Sequence, residues 1–293
     1  MPDWRSMILG FLFVLAWSSA FTSARIVVAD APPFLALSFR FLISGVIALA
    51  IGLAAGQRIR LTKSQWIGVL VFGLCQNALY LGLNFEAMQT IEAGLASIIA
   101  SMLPLIVAAL GRAFFGERLT PLAMAGLVIG FSGVVYIMQA RMGASADIYG
   151  LSLCLIGVLA LSIATLLVRG VSVGGNLWMV VGLQMLVGSF ALFPVSVALE
   201  TWEINWTWPL FWAFLYTTLI PGVAATMIWF ILVGRIGAVP AATFHFLNPF
   251  LGVFIAFLIL GEPITLTDFI GVVIIMIGIL AVQLSKRHGN RAV

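Results

Sequence analysis

Gln76, Tyr80 and Asn84 recur every four residues in the stretch CQNALYLGLN, with Asn77 beside them. On a helix that spacing gathers large hydrogen-bonding groups on one face. Amides and phenols of this kind recognise a molecule by donating and accepting hydrogen bonds, without bringing charge. Residues of similar character stand elsewhere in the chain: Ser97 and Ser101 share a helical face with Gly94, Ser162 lies in ALSIATLLVR, and His245 and Asn248 come just before Pro249. Trp17 stands beside Ser18 in LAWSSAF. Trp17, Trp229 and Tyr80 lie deep in apolar runs and predict an aromatic wall that stacks on a flat molecule or holds a cation. The candidate substrate cavity is therefore lined by Trp17, Gln76, Asn77, Tyr80, Asn84, Ser97, Ser101, Ser162, Trp229, His245 and Asn248. For the serines the ordinary alternative is a hydroxyl that bonds back to its own helix or lets two helices approach.

Bond-making chemistry is not encoded. The only histidines are His245 and His288, and neither an HExxH nor a GxSxG pattern nor a cluster of acids at midplane depth occurs, so no zinc or serine hydrolase constellation can be assembled. No metal, cofactor or nucleic-acid partner is expected. Cys75 and Cys154 fall within apolar runs and predict packing roles rather than a disulfide.

The elements that must position these side chains follow from composition. Of 293 residues, 63% are hydrophobic and 8% charged, against about 25% charged in soluble domains. Such a chain needs a lipid bilayer around it. Charges, prolines and glycines divide it into ten predicted spans, residues 6–28, 33–55, 64–85, 92–115, 120–139, 148–169, 176–199, 207–232, 238–260 and 265–285. Each is near the roughly 20 residues that cross the hydrocarbon. The first is too long for a signal-peptide core and is read as a retained span. Loops are short, so any function is built between helices.

Positive residues favour the cytoplasmic side. In the ten-span scheme Arg5, Arg58, Arg60, Lys63, Arg112, Arg118, Arg169, Arg235, Lys286, Arg287 and Arg291 collect on one side, and Arg25 and Arg141 on the other. Both termini are then cytoplasmic. Arg40 lies about seven residues into the second span and is expected to snorkel outward. The exposed ends of the seventh and eighth spans carry Trp202, Trp206, Trp208 and Trp212, an interfacial belt.

PLIVAALGRAFFGERLT, Pro104 to Thr120, and PFLGVFIAFLILGEPIT, Pro249 to Thr265, carry the same Pro, Gly-Glu and Thr at an offset of 145. Ala93 and Ala96 map to Ala238 and Ala241, Gly126 to Gly271, and Gly133 to Gly278 at that offset. Arg25 and Arg169 match at 144. The offset equals five spans, an odd number, so equivalent helices cross in opposite directions. The predicted fold is an all-α integral membrane protein of ten transmembrane helices in two inverted five-helix repeats, residues 1–140 and 146–286, with a short cytoplasmic tail at 287–293. Inverted repeats serve alternating access, which places a central substrate site near the midplane. Pro104 and Pro249 occupy equivalent places, and Pro221 with Gly222 interrupts the eighth span, which makes the three prolines hinge candidates.

The paired strings FFGERLTPLAMAGLVIGFSGV and LILGEPITLTDFIGVVIIMIG resemble the EamA-type family of the drug/metabolite transporter superfamily, and the resemblance extends over nearly the whole chain. FLFVLAWSSAFTSARIV and the segment around CQNALYLGLN are similar to a bacterial inner-membrane branch of that family that exports aromatic amino acids. The resemblance implies export of aromatic and other apolar amino acids; the alternative within the same fold is efflux of lipophilic or planar cations or of another metabolite, and a non-transport membrane protein is the remaining reading. The buried glutamate that marks the first helix of small multidrug relatives is missing from LAWSSAFTS, which argues against proton antiport through such a carboxylate. His245 is the remaining candidate for coupling to pH.

Overall fold

A backbone in hydrocarbon must satisfy its own hydrogen bonds, and helices do so within a single segment. The computed structural model describes residues 4–116, 119–142, 147–167, 175–236, 241 and 243–289, and among these the regular structure is entirely helical. The helices are α1 Trp4–Asp30, α2 Pro33–Ala54, α3 Lys63–Phe72, α4 Gly82–Ala87, α5 Ala93–Ala100, α6 Leu103–Phe115, α7 Pro121–Met142, α8 Ile148–Leu167, α9 Leu177–Leu199, α10 Trp208–Thr217, α11 Ala225–Ile236, α12 Asn248–Leu260 and α13 Leu266–Gly289. A π-helical segment, Gly73–Leu81, joins α3 to α4, another, Thr218–Ala224, joins α10 to α11, and a 3-10 turn, Thr243–Leu247, leads into α12. Seven stretches are long and apolar enough to cross a membrane, and three shorter apolar helices, Pro121–Ile137, Asn248–Leu260 and Leu266–Val282, occupy the fifth, ninth and tenth predicted spans. Glu117, Arg118, Arg169, Ala238 and Arg291, which enter the charge sorting or the repeat, lie outside the described residues.

Local signals explain several boundaries. Thr62 and Gln65 form a reciprocal capping box at the start of α3: Gln65 N–H donates to Thr62 Oγ1 (3.3 Å) and Thr62 N–H to Gln65 Oε1 (2.9 Å). The fourth and ninth predicted spans were expected to run as single helices bent at proline. Instead the fourth breaks into turn at Ser101 and Met102, and the ninth enters through the 3-10 turn. Pro104 and Pro249 occupy the first turns of the restarted helices, where a missing N–H costs nothing. Both restarted helices are 13 residues long and end on a left-handed glycine, Gly116 at φ 64° and Gly261 at φ 69°, a backbone conformation that a side chain disfavours.

The described chain divides into two units. The first draws on α1 as far as Thr22, on Thr90–Leu151, and on the chain from Ala225 onward. Here α7 and α13 pack antiparallel through glycine. A β-carbon on Gly126 would stand 2.7 Å from the Gly278 carbonyl oxygen, and one on Gly133 would stand 3.0 Å from that of Gly271. Adding 145 carries Gly126 to Gly271 and Gly133 to Gly278, so the two contacts exchange places. In the same unit Glu262, just past the end of α12, accepts from the N–H groups of Ala93 (2.7 Å) and Gly94 (2.9 Å) at the start of α5. That contact sets α5 and α12 antiparallel as well.

The second unit comprises Ser23–Gln89 and Ser152–Ala224. Its central pair, α2 and α9, is also antiparallel, and the two helices cap each other. Glu200 at the end of α9 accepts from Phe34 N–H (2.7 Å) and Leu35 N–H (2.9 Å) at the start of α2. Gln57, beyond the end of α2, accepts through Oε1 from Trp178 N–H (3.0 Å) at the start of α9. Midway, Gly45 and Gly182 approach backbone to backbone, while Ser38 Oγ donates to the Ser189 carbonyl at 3.1 Å. An offset of 144 exchanges those two contacts.

Candidate functional site

Within the first unit, α1, α11 and the turn before α12 bring four rings together. Phe13 lies 4.9 Å from Trp229, 5.7 Å from Trp17 and 5.1 Å from the His245 ring, centroid to centroid. His245 stands edge-on to Trp17 at 6.0 Å and tilted to Trp229 at 5.2 Å. Val14, Ala225, Leu251 and Ile255 back the group. Phe13 is fully buried, whereas Trp17, Trp229 and His245 keep part of their surface open. Tilted and edge-to-face pairs of this kind are each worth about 0.5–1.5 kcal/mol beyond their buried area. Phe13 and Trp17 come from the first half of the chain, Trp229 and His245 from the second.

Asn248 supports this ring group from below. Its Nδ2 lies 2.8 Å from His245 Nδ1, and Ser18 Oγ donates to its Oδ1 at 3.4 Å. With the amide nitrogen donating, Nδ1 is the acceptor, a role the Nε2–H tautomer of the ring provides. Ser97 Oγ donates to the Asn248 backbone carbonyl at 3.4 Å. A β-carbon on Gly252 would overlap Ser97 Oγ, so glycine there lets α12 close on α5. The structure thus gathers Trp17, Ser97, Trp229, His245 and Asn248 into one cluster and adds Phe13 and Ser18. Phe13 went unnoticed in the sequence, although its position one turn before Trp17 was a usable signal.

The remaining residues of the predicted cavity lie on other segments. Tyr80 and Asn77 are in the second unit, buried in the first π-helical segment, with Gln76 partly exposed and Asn84 buried just beyond in α4. The predicted α-helical stripe is carried on i→i+5 turns, a form that recurs at functional sites. Much of its polar capacity is already engaged: Asn84 Nδ2 donates to the Tyr80 carbonyl (2.7 Å), Cys154 Sγ donates to Asn84 Oδ1 (3.4 Å), and Asn77 Nδ2 donates to the Gln184 carbonyl (2.8 Å). Ser101 and Ser162 bond back to Ile98 and Val158 of their own helices.

Pro221 lies inside the second π-helical segment, where its missing N–H breaks the α-helical ladder. Neighbouring hydroxyls take up nearby carbonyls: Thr218 Oγ1 donates to Phe214 (2.6 Å) and Ser44 Oγ to Thr218 (3.0 Å). An offset of 144 places this segment over Gly73–Leu81, so the same departure from α-helix occurs at equivalent points of the two halves.

Arg40 corrects an expectation. It does not reach outward: only 4% of its surface is exposed, and its Nε has no hydrogen-bond partner among the described residues. Its guanidinium carbon lies 5.4 Å from the Phe41 ring and 5.8 Å from the Phe85 ring. The packing of α4 against α2 holds it inside. An arginine at this depth costs roughly 2.5–3.5 kcal/mol on insertion scales, which two cation–π contacts of about 0.5–2 kcal/mol each offset in part.

Comparison with known proteins agrees with this architecture. The EamA-like transporter family matches the chain twice, over residues 4–139 and again over 148–284. The uncharacterized transporter YvbV of Bacillus subtilis (strain 168) is 27% identical over 100% of this chain and 96% of its own length. The aromatic amino acid exporter YddG of Ancylobacter novellus is 31% identical over 46% of this chain and 47% of its own length. A solved crystal structure aligns at TM-score 0.68 with 21% identity, covering 97% of this chain and 98% of that one, which speaks for the fold alone. Apolar helices long enough to span, matched throughout to a family of carriers, make this a multi-pass membrane protein, and the chain belongs to the EamA-like transporter family.

Proposed function

We propose that this protein exports aromatic and other apolar amino acids across the bacterial inner membrane by alternating access. In this reading ten spans form two inverted five-helix repeats, residues 1–140 and 146–286, with both termini cytoplasmic. One observation carries the substrate class: the group of Trp17, Trp229 and His245 over a buried Phe13, drawn from both halves of the chain and holding no carboxylate. Open ring faces and edges suit a flat apolar side chain. The similarity to a relative named as an aromatic amino acid exporter supports the same class. Inverted repeats supply the mechanism, because two equivalent halves can exchange conformations and expose one site to each side in turn. Pro104, Pro249 and Pro221 stand where helices restart or change register, and these are the hinges of the proposal.

The experiment is exchange in proteoliposomes. Labelled Phe, Trp, Leu and Lys are offered outside, with unlabelled competitor trapped inside. Saturable exchange of Phe and Trp, weaker exchange of Leu and none of Lys is the expected outcome, with Trp17→Ala raising KM for Phe about tenfold, the equivalent of 1.4 kcal/mol. Exchange of a planar cation with no amino acid exchange would transfer the site to lipophilic cations.

A further inference from the structure

We propose that Arg40, backed by Phe41 and Phe85, is a buried binding site for the carboxylate of a small organic acid. The site lies wholly within the second unit, and it does not depend on the amino acid reading of the ring group in the first.

Arginine does not give up its proton in a protein, so a buried guanidinium needs a negative partner. The described residues supply none. Among the described residues Arg40 makes no ion pair, and its Nε is unbonded. The unit's own carboxylates are occupied or exposed. Glu200 accepts from Phe34 and Leu35, Asp30 from Asn205 and Thr207, Glu86 from Gln89, and Glu203 is exposed. The two phenylalanine rings near the guanidinium provide partial negative charge on their faces and nothing that accepts a directed hydrogen bond.

The surroundings favour a small acid over a lipid headgroup. Arg40 is seven residues past Pro33, where the predicted second span begins, which at the α-helical rise puts it about 10 Å along α2 and, in that scheme, deeper than a phosphate at the bilayer surface. One turn further along α2, Ser44 stands against Gly222 and its hydroxyl donates to the Thr218 carbonyl at 3.0 Å. Thr217 Oγ1 is another fully buried polar atom of this unit with no partner among the described residues. The unbonded guanidinium nitrogen on α2 is what a bound oxyanion would use. A planar carboxylate meets the guanidinium through two parallel hydrogen bonds, which a lysine cannot reproduce.

The test uses the purified full-length chain and thermal unfolding titrated with 3-phenylpropionate, its amide, or inorganic phosphate. Wild type should be stabilised by the acid and hardly by the amide. In Arg40→Gln the apparent Kd for the acid should rise at least tenfold, while Arg40→Lys keeps the preference for acid over amide at weaker affinity. An equal response to acid and amide in wild type, or an unchanged Kd in Arg40→Gln, would overturn the proposal. Should Arg40→Gln fail to fold, Arg40→Lys decides: a Kd for the acid several-fold weaker than wild type supports the site, and an unchanged Kd overturns it. Nanodiscs of phosphatidylcholine with and without phosphatidylglycerol separate the sources: stabilisation by the anionic lipid alone, dependent on Arg40, assigns the site to a headgroup and removes the small-acid reading.

Discussion

The side-chain amide nitrogen of Asn248 stands 2.8 Å from Nδ1 of His245. Donation from the Asn248 amide N–H uses the lone pair on Nδ1, which the Nε2–H tautomer supplies. His245→Phe keeps an aromatic edge against Phe13 but strands the amide N–H, a loss of about 1–3 kcal/mol. A lower melting temperature for His245→Phe is expected, with a smaller drop for His245→Gln, whose amide oxygen can accept in place of Nδ1. Equal melting temperatures for wild type and His245→Phe would show that the contact contributes nothing.

Gly252→Ala drives a β-carbon into Ser97 Oγ and forces α5 and α12 apart. Overpacking of this kind costs about 1–3 kcal/mol. Ser97→Gly in the same chain removes both conflicting atoms, so the double variant should recover most of the lost melting temperature. No recovery would place the strain elsewhere.

The caps between α2 and α9 make unequal predictions for a symmetric pair. Glu200 accepts from two N–H groups and brings negative charge to a helix N-terminus, whereas Gln57 accepts from one and is neutral. Loss of a cap costs about 0.5–2 kcal/mol. Glu200→Ala should sit at the upper end, Gln57→Ala at the lower, and Glu200→Gln between them, read from thermal unfolding at constant detergent.

Asp147 supplies a pH signature outside the spans. The Thr90 hydroxyl at 2.5 Å holds its carboxyl below the usual aspartate range, assisted by the N–H groups of Gly150 and Tyr149 at the start of α8. A carboxyl whose pKa is depressed on folding stabilises the fold above its unfolded pKa, and that contribution disappears as pH falls through the folded value. Thr90→Val should move the Asp147 titration upward toward the usual range, followed by NMR of labelled aspartate. An unmoved titration would refute the role of Thr90.

How much of this was legible in advance can be read from single residues. Composition and the Pro104 to Thr120 repeat required helices in lipid and marked Gly126, Gly133, Gly271 and Gly278 as equivalent, because bilayer burial and close helix contact depend on residue type. The same strings marked Gly116 and Gly261, the left-handed caps that end equal helices. The candidate cluster was half legible: Trp17, Ser97, Trp229, His245 and Asn248 were named, but their company with Phe13 was not. Nothing in a one-dimensional string says which of several polar helix faces meet.

What the sequence determined by itself was helical membrane class and the internal repeat, since each depends on local polarity and periodicity. Tertiary structure decided the rest. The π-helical register of Gly73–Leu81 is imposed where α9 and α8 press on it, with Gly73 against Val187 and Tyr80 against Gly157. Arg40 stays inside because α4 covers its face of α2, and a residue's reach to water is set by neighbours far away along the chain.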